Sequence, residues 1–197
     1  MFSNEVSIVL ASGSRYRRQL LDQIGIHHIA CPANIDETAR GGERPTALAA
    51  RLAREKARAV AIRYPTALVI GSDQVGTLDG TTAFSKPLHH LDAVSQLSRM
   101  SGGTVHFHTA VCLFNPRTGA ERSALVSTEV RFRTLTAEAI ESYLSKDQPY
   151  DCAGSAKIES LGIALVERVT SDDPTALLGL PLIALLDLLA AEGIRVL

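Results

Sequence analysis

The sequence predicts an α/β fold on a mixed, partly antiparallel sheet with flanking helices. Three observations carry this expectation. Short apolar runs of strand length alternate with longer stretches whose apolar residues recur at helical spacing. Two long β-like runs, Thr104–Asn115 and Ala120–Phe132, are separated only by Pro116-Arg117-Thr118-Gly119, too short a link for a parallel crossover. Hydrophobic residues make up 46% and charged residues 21% of the 197, a balance that suits a packed core rather than a disordered chain.

The elements follow in order. Residues 6–11 (VSIVLA) form a compact apolar run, read as a buried strand. Residues 15–24 carry Leu20, Leu21 and Ile24 at helical spacing, with Gly25 as the stop. Residues 27–31 are read as a second strand and 32–44, polar and charged, as a loop. Pro45 opens a helix whose stripe is Leu48, Ala49, Leu52, Ala53, Ala57, Val60 and Ala61, ending before Pro65. Residues 67–71 (ALVIG) are a strand running into Ser72-Asp73-Gln74, and Asp79-Gly80 signals a hairpin turn. Residues 91–100 are read as a helix closed near Gly102-Gly103, and after the two long strands Thr136 caps a helix through Lys146. Residues 158–169 are read as β-like, and 175–191 as a last apolar helix stopped by Gly193.

Length and charge narrow the function classes. A chain of 197 residues can bury roughly 70% of its unfolded surface, so one domain over 1–197 is expected. Lys and Arg number 20 against 21 Asp and Glu, a net charge of -1 that speaks against a broadly basic surface for a nucleic-acid polymer. Aromatics are 5% and Trp is absent, leaving few rings for base stacking. Cys31, Cys112 and Cys152 are odd in number and widely spaced, which suits reduced thiols and no zinc module. The N-terminus has no basic stretch before its apolar run, and the longest apolar run, 176–186, is broken by Gly179 and Pro181. A cytoplasmic protein with no membrane partner is expected.

Five constellations have chemical potential. Ser12-Gly13-Ser14-Arg15-Tyr16-Arg17-Arg18 lies between a strand and a helix, where small residues and free N–H groups accommodate an anion. Arginines at a helix N-terminus oppose its dipole by about 0.3–1 kcal/mol each, a conflict that a bound phosphate removes. Ser14 as a plain N-cap beside solvated arginines is the competing reading. Asp73, in Gly71-Ser72-Asp73-Gln74, sits just past an apolar strand, where α/β folds place ligands, although turn aspartates are common there too. Asp36-Glu37 in a polar loop is ordinary surface unless it joins Asp73 in an oxygen-only cation site. Lys56 and Lys86 are solvated charges unless both face a pocket, where they would neutralise phosphate. The stretch Tyr150-Asp151-Cys152-Ala153-Gly154-Ser155-Ala156-Lys157-Ile158-Glu159 sets Lys157 and Glu159 on one face if it is extended, and is an ordinary loop otherwise. His106 and His108 share a strand face without a third ligand, His27-His28 and His89-His90 read as surface, and Cys152 reads as a small buried residue rather than a nucleophile.

Together these residues resemble the Maf family of nucleoside triphosphate pyrophosphatases. The resemblance rests on Leu10-Ala11-Ser12-Gly13-Ser14 with Arg17, Asp36-Glu37, Arg54-Glu55-Lys56-Ala57, Gly71-Ser72-Asp73, Lys86-Pro87, Ser101-Gly102, Ala153-Gly154 and Gly179-Leu180-Pro181-Leu182, in order along nearly the whole chain. It implies an elongated fold with a central cleft, like that of the inosine-triphosphate pyrophosphatases, and often a homodimer. It also implies hydrolysis between the α- and β-phosphates of a nucleotide, as part of clearing non-canonical nucleotides, with a divalent cation, Mg²⁺ or Mn²⁺.

Within that family, Gln74 after the aspartate and the acid Glu159 are similar to the 7-methyl-GTP branch; the dTTP/UTP branch usually has Thr after the aspartate. Two departures stand out: Arg15 where the family usually has Pro, and Tyr16 where the 7-methyl-GTP branch has Trp. The roles implied are Ser12, Ser14 and Arg17 on the triphosphate, and Glu37 and Asp73 on the cation. Asp73 also acts on the attacking water, with Lys56 and Lys86 on developing phosphate charge. Tyr16, Gln74 and Glu159 fall at the base, where a carboxylate suits the donors of a guanine edge and an aromatic face suits a cationic ring. The alternatives are a dTTP/UTP pyrophosphatase and a non-catalytic nucleotide-binding regulator of cell division.

Overall fold

The structure is a computed structural model that describes residues 7–87, 89–150 and 152–197. Val6, expected in the first strand, and Asp151, in the candidate stretch 150–159, lie outside the described residues.

The elements are β1 (Ile8–Leu10), α1 (Arg15–Gln23), β2 (Ile29–Ala30), α2 (Pro45–Ala61), β3 (Leu68–Thr77), α3 (His90–Met100), β4 (Thr104–Asn115), β5 (Ala120–Phe132), α4 (Ala137–Asp147), β6 (Val166–Ser171) and α5 (Leu182–Ala191). Short 3₁₀ turns occupy Ala153–Ser155, Leu161–Leu165 and Ala176–Leu178. Six strands form one sheet in the order β2-β1-β3-β4-β5-β6. The first three are parallel, and β3 to β6 pair antiparallel. The expected mixed sheet is what forms.

Strand alternation sorts the core into layers. Val9 and Val69 face α2 and its small residues Ala49, Ala53 and Ala57. Ile8, Leu10, Leu68 and Ile70 face Leu20 and Leu21 of α1 and Leu185 and Leu189 of α5. A third cluster, with Leu97, Met100, Phe107, Phe132 and Leu144, joins α3 and α4 to the far ends of β4 and β5. Two caps follow the sequence signals, Ser14 and Thr136 accepting from the backbone N–H three residues on; at the start of α3, which no sequence signal marked, Asp92 accepts from His89 N–H.

Four expectations are corrected. The strand expected at 67–71 runs to Thr77, because β4 pairs with it along Val69–Thr77 and supplies ladder bonds beyond the apolar stretch. Asp73 is therefore inside a strand, not past its end. Residues 158–165 are not β: Lys157 O accepts from Ser160 and Gly162 N–H, and a Cβ on Gly162 would sit 2.4 Å from Lys157 O, so the chain coils until Val166. Lys157 and Glu159 consequently do not share an extended face. The helix expected over 175–191 is split at Gly179 (φ +96) and Pro181, and α5 begins at Leu182. The side chain of His28, read as surface, is 6% exposed and its Nδ1 lies 3.0 Å from Ile26 O.

β1 stops at Leu10 while β3 continues, so the β1-side edge of β3 is open from Ser72 onward. The loop after β1, the loop before α2 and the segment after the Asp79-Gly80 turn close around that edge. The last is held by the Thr77–Ala83 bridge and the Phe84 N–H to Gly76 O bond.

Candidate active site

A cleft of about 1020 Å³ lies at this open edge. Its floor depends on how closely α2 approaches β3. A Cβ on Gly71 would fall 2.0 Å from Ala53 O and 2.8 Å from Ala57 N, so only glycine admits the helix at this distance. That approach carries Lys56, one turn on, over Asp73. Lys56 Nζ donates to Asp73 Oδ1 at 2.5 Å and lies 2.7 Å from Glu37 Oε1. Lys56 and Asp73 are each 7% exposed, whereas Glu37 reaches in from an exposed loop. Burial raises the pKa of Asp73 above the usual carboxylate range, against the pull of Lys56 and Arg17. Burial also pushes Glu37 up, but the hydrogen bond and charge of Lys56, with Lys86 and Arg17, bring it below its ordinary value.

The loop carrying Glu37 is tied to α2 by Arg51. This buried guanidinium makes a fork with Glu43 at 2.7 and 2.8 Å, and also donates to Glu55 and to Thr38 O. Asp36, the other half of the predicted acid pair, turns away and accepts Thr38 N–H through Oδ1.

Facing the acids is the start of α1. Ser12 is buried; its Oγ accepts from Ser14 N–H at 3.1 Å and from Arg17 Nη1 at 3.3 Å. Ser14 is the N-cap, as the plainer of its two readings holds, and also lines the cleft. Arg17 Nε donates to Gly179 O at 2.7 Å. A Cβ on Gly179 would lie 3.2 Å from Arg17 Nε, so glycine suits this position both for its positive φ and for the contact. Burial holds the Arg17 guanidinium below its ordinary pKa, while Asp73 and Glu37 oppose that shift.

The other end is looser. Lys86 is exposed at the cleft rim. Tyr16 is half-buried, and its ring carries the Arg15 guanidinium 4.7 Å from the centroid, with Arg15 Nη2 donating to Tyr16 Oη at 2.7 Å. The aromatic face expected to be available to a cationic base thus already holds a cation on one side. Glu159 is half-buried, and burial raises its pKa, partly offset by Lys157 and Arg15. Gln74 lines the cleft, but its Nε2 is directed at Thr109 Oγ1, Ala176 O and Leu177 O, each at 3.0 Å.

All the predicted site residues, Ser12, Ser14, Tyr16, Arg17, Glu37, Lys56, Asp73, Gln74, Lys86 and Glu159, line this one cleft. Among the described residues no group of three His, Cys, Asp or Glu is poised to hold a metal. The donor set is a carboxylate pair, Glu37 and Asp73, gathered on one ammonium. Such a pair fits a hard cation that takes its remaining ligands from water and phosphate oxygens. Sequence reasoning named Ser72 only as a neighbour of Asp73 and gave no role to it, although its Oγ donates to Gly179 O across 107 positions, and it missed Thr109. Arg51 was readable in part, since Glu55 lies one helical turn on.

Comparison with known proteins places the chain in a family. Residues 7–192 match the family described as Maf-like protein. The chain is 53% identical over 191 residues to a 7-methyl-GTP pyrophosphatase of Thiobacillus denitrificans, covering 97% of this chain and 94% of that protein. It is 53% identical over 187 residues to one of Aromatoleum aromaticum (95% and 96% covered) and 49% identical over 189 residues to one of Nitrosospira multiformis (96% and 95% covered).

Proposed function

The chain belongs to the Maf-like protein family, and from that premise we propose that it is a nucleotide pyrophosphatase acting on 7-methyl-GTP. It cleaves the α–β phosphoanhydride, giving the monophosphate and pyrophosphate. The observation that carries this reading is the cluster of Asp73, Lys56 and Glu37 sharing a cleft with Arg17 and the α1 N-terminus. Two acids and several basic groups converge there, as hydrolysis of a polyanion requires. The names of the relatives, each spanning nearly the whole chain, support the substrate. The activity is assigned to one Maf-like domain over the whole chain. Three free cysteines suit a cytoplasmic setting, and among the described residues no helix is long and apolar enough to cross a membrane.

Glu37 and Asp73 would hold a divalent cation, Mg²⁺ or Mn²⁺. When bound, it supplies Lewis-acid stabilisation of phosphate charge and makes water more acidic. Asp73 orients the attacking water and accepts its proton. Ser12, Ser14, the first N–H groups of α1 and Arg17 hold the triphosphate. Lys56 and Lys86 stabilise charge on the leaving pyrophosphate. Tyr16 and Glu159 face the base, with Gln74 in the adjoining wall.

The test is product analysis with 7-methyl-GTP, with divalent cation and with chelator. The reading predicts 7-methyl-GMP and pyrophosphate in equal amounts, lost on chelation and restored by Mg²⁺ or Mn²⁺. A diphosphate with free orthophosphate would refute it, as would nucleotide binding with no turnover.

A further inference from the structure

The turn Ala176–Leu178 and the following Gly179 are built into the site from beneath. Leu177, Leu178 and Gly179 line the cleft. Three side chains of the sheet hold their carbonyls. Ser72 Oγ donates to Gly179 O at 2.8 Å, Thr109 Oγ1 to Ala176 O at 2.9 Å, and Gln74 Nε2 to both Ala176 O and Leu177 O at 3.0 Å. Gly179 O in turn receives Arg17 Nε at 2.7 Å. The position of the guanidinium is thus set by a turn whose own position is set by β3 and β4.

Gln74 cannot reverse this arrangement cheaply. Its amide faces two carbonyl oxygens, which only accept, so the nitrogen must point at them. An amide has two hydrogens, and three acceptors already surround this nitrogen. Its donor capacity is spent inside the protein.

We infer that Gln74 is a positioning residue for phosphate binding: it fixes the 176–179 turn, and through Gly179 O it fixes Arg17. This deepens the proposed function and rests on it for the triphosphate. It also separates the Gln74 amide nitrogen from a direct reading of the base. A residue that touches the base alters the preference among nucleotides. One that places Arg17 alters the grip on every triphosphate alike, including one with no base.

Inorganic tripolyphosphate is therefore the probe. Its inhibition constant is measured beside KM and kcat for 7-methyl-GTP, GTP and UTP in the wild type and in Gln74→Thr. Thr109→Val is the second variant: Thr109 is fully buried, is absent from the cleft lining and bonds the same turn, and the change keeps its shape. The inference predicts that Gln74→Thr weakens tripolyphosphate about tenfold and raises KM for all three nucleotides by a similar factor, with their ratios held within twofold. Thr109→Val shows the same pattern at two- to fivefold, and should Gln74→Thr fail to fold, it carries the test alone. Unchanged tripolyphosphate inhibition, or a changed nucleotide ratio, overturns the inference and leaves the pyrophosphatase reading standing. Wild-type protein that binds tripolyphosphate yet releases no pyrophosphate refutes the function instead.

Discussion

The two ends of the cleft are held together differently. At the acidic end every group is anchored to regular structure: Asp73 on β3, Lys56 on α2, Arg17 on α1, and the Glu37 loop by the Arg51 fork. At the opposite end Tyr16 and Glu159 stand half-exposed on the edge of a helix and in a turn, and Lys86 follows a short hairpin return. The first arrangement holds the groups proposed to react in a fixed geometry, which chemistry demands. The second can vary in sequence without disturbing the first. The two departures from the family pattern, Arg15 and Tyr16, both fall there.

Substitutions at the acidic end should therefore cost turnover, and those at the other end should redistribute preference among substrates. The largest effect is expected from Asp73→Asn. Pyrophosphate release should fall on the order of 10³-fold, while thermal unfolding stays cooperative. Retained turnover would remove Asp73 from the mechanism. Next comes Gly71→Val, which puts a side chain into the backbone of α2. Denaturant titration should show a loss of about 1–3 kcal/mol, with kcat reduced because Lys56 moves from Asp73. A stable variant with normal kcat would show that the α2–β3 approach does not matter.

Glu159→Gln should lower the preference for 7-methyl-GTP over UTP about tenfold, the worth of one charge-assisted hydrogen bond, with little change in kcat. In the wild type this preference should rise with pH as the carboxylate ionises, above the usual glutamate range because burial raises its pKa. The variant should be flat. The linkage sign is fixed by the same shift. A carboxylate with a raised folded pKa leaves stability intact below its unfolded pKa and lowers it as pH climbs through the folded one. Glu159→Gln should then match the wild type near pH 4 and be no less stable at pH 8, read as melting temperature. The smallest effect is expected from Arg15→Ala. Freeing the Tyr16 ring of a cation worth about 0.5–1 kcal/mol should favour the cationic 7-methylguanine over guanine two- to fivefold in competition assays.

The same contrast governs what was legible in the sequence. The apolar periodicities located most elements, and the motif residues Ser12, Arg17, Glu37 and Lys56 were identifiable because each sits at a strand–helix junction, on a patterned helix or in a charged loop, while Asp73 stood out as a carboxylate directly following an apolar run. What was lost depended on partners distant in sequence. β3 outlasts its own hydrophobic run because β4 pairs with it, and no property of residues 72–77 announces that. The coil at 158–165 arises from a close approach to the Lys157 backbone that composition does not reveal, whereas Gly179 and Pro181, where the last helix is broken, were visible as breakers of the apolar run. The roles of Ser72 and Thr109 were invisible because the carbonyls they hold lie 107 and 67 positions away.

The decisive measurement is kcat/KM for pyrophosphate release from 7-methyl-GTP, GTP, UTP, dTTP and CTP, each with Mg²⁺ and with Mn²⁺. 7-methyl-GTP should lead the panel by at least tenfold with either cation. Faster hydrolysis of UTP or dTTP than of 7-methyl-GTP would contradict it.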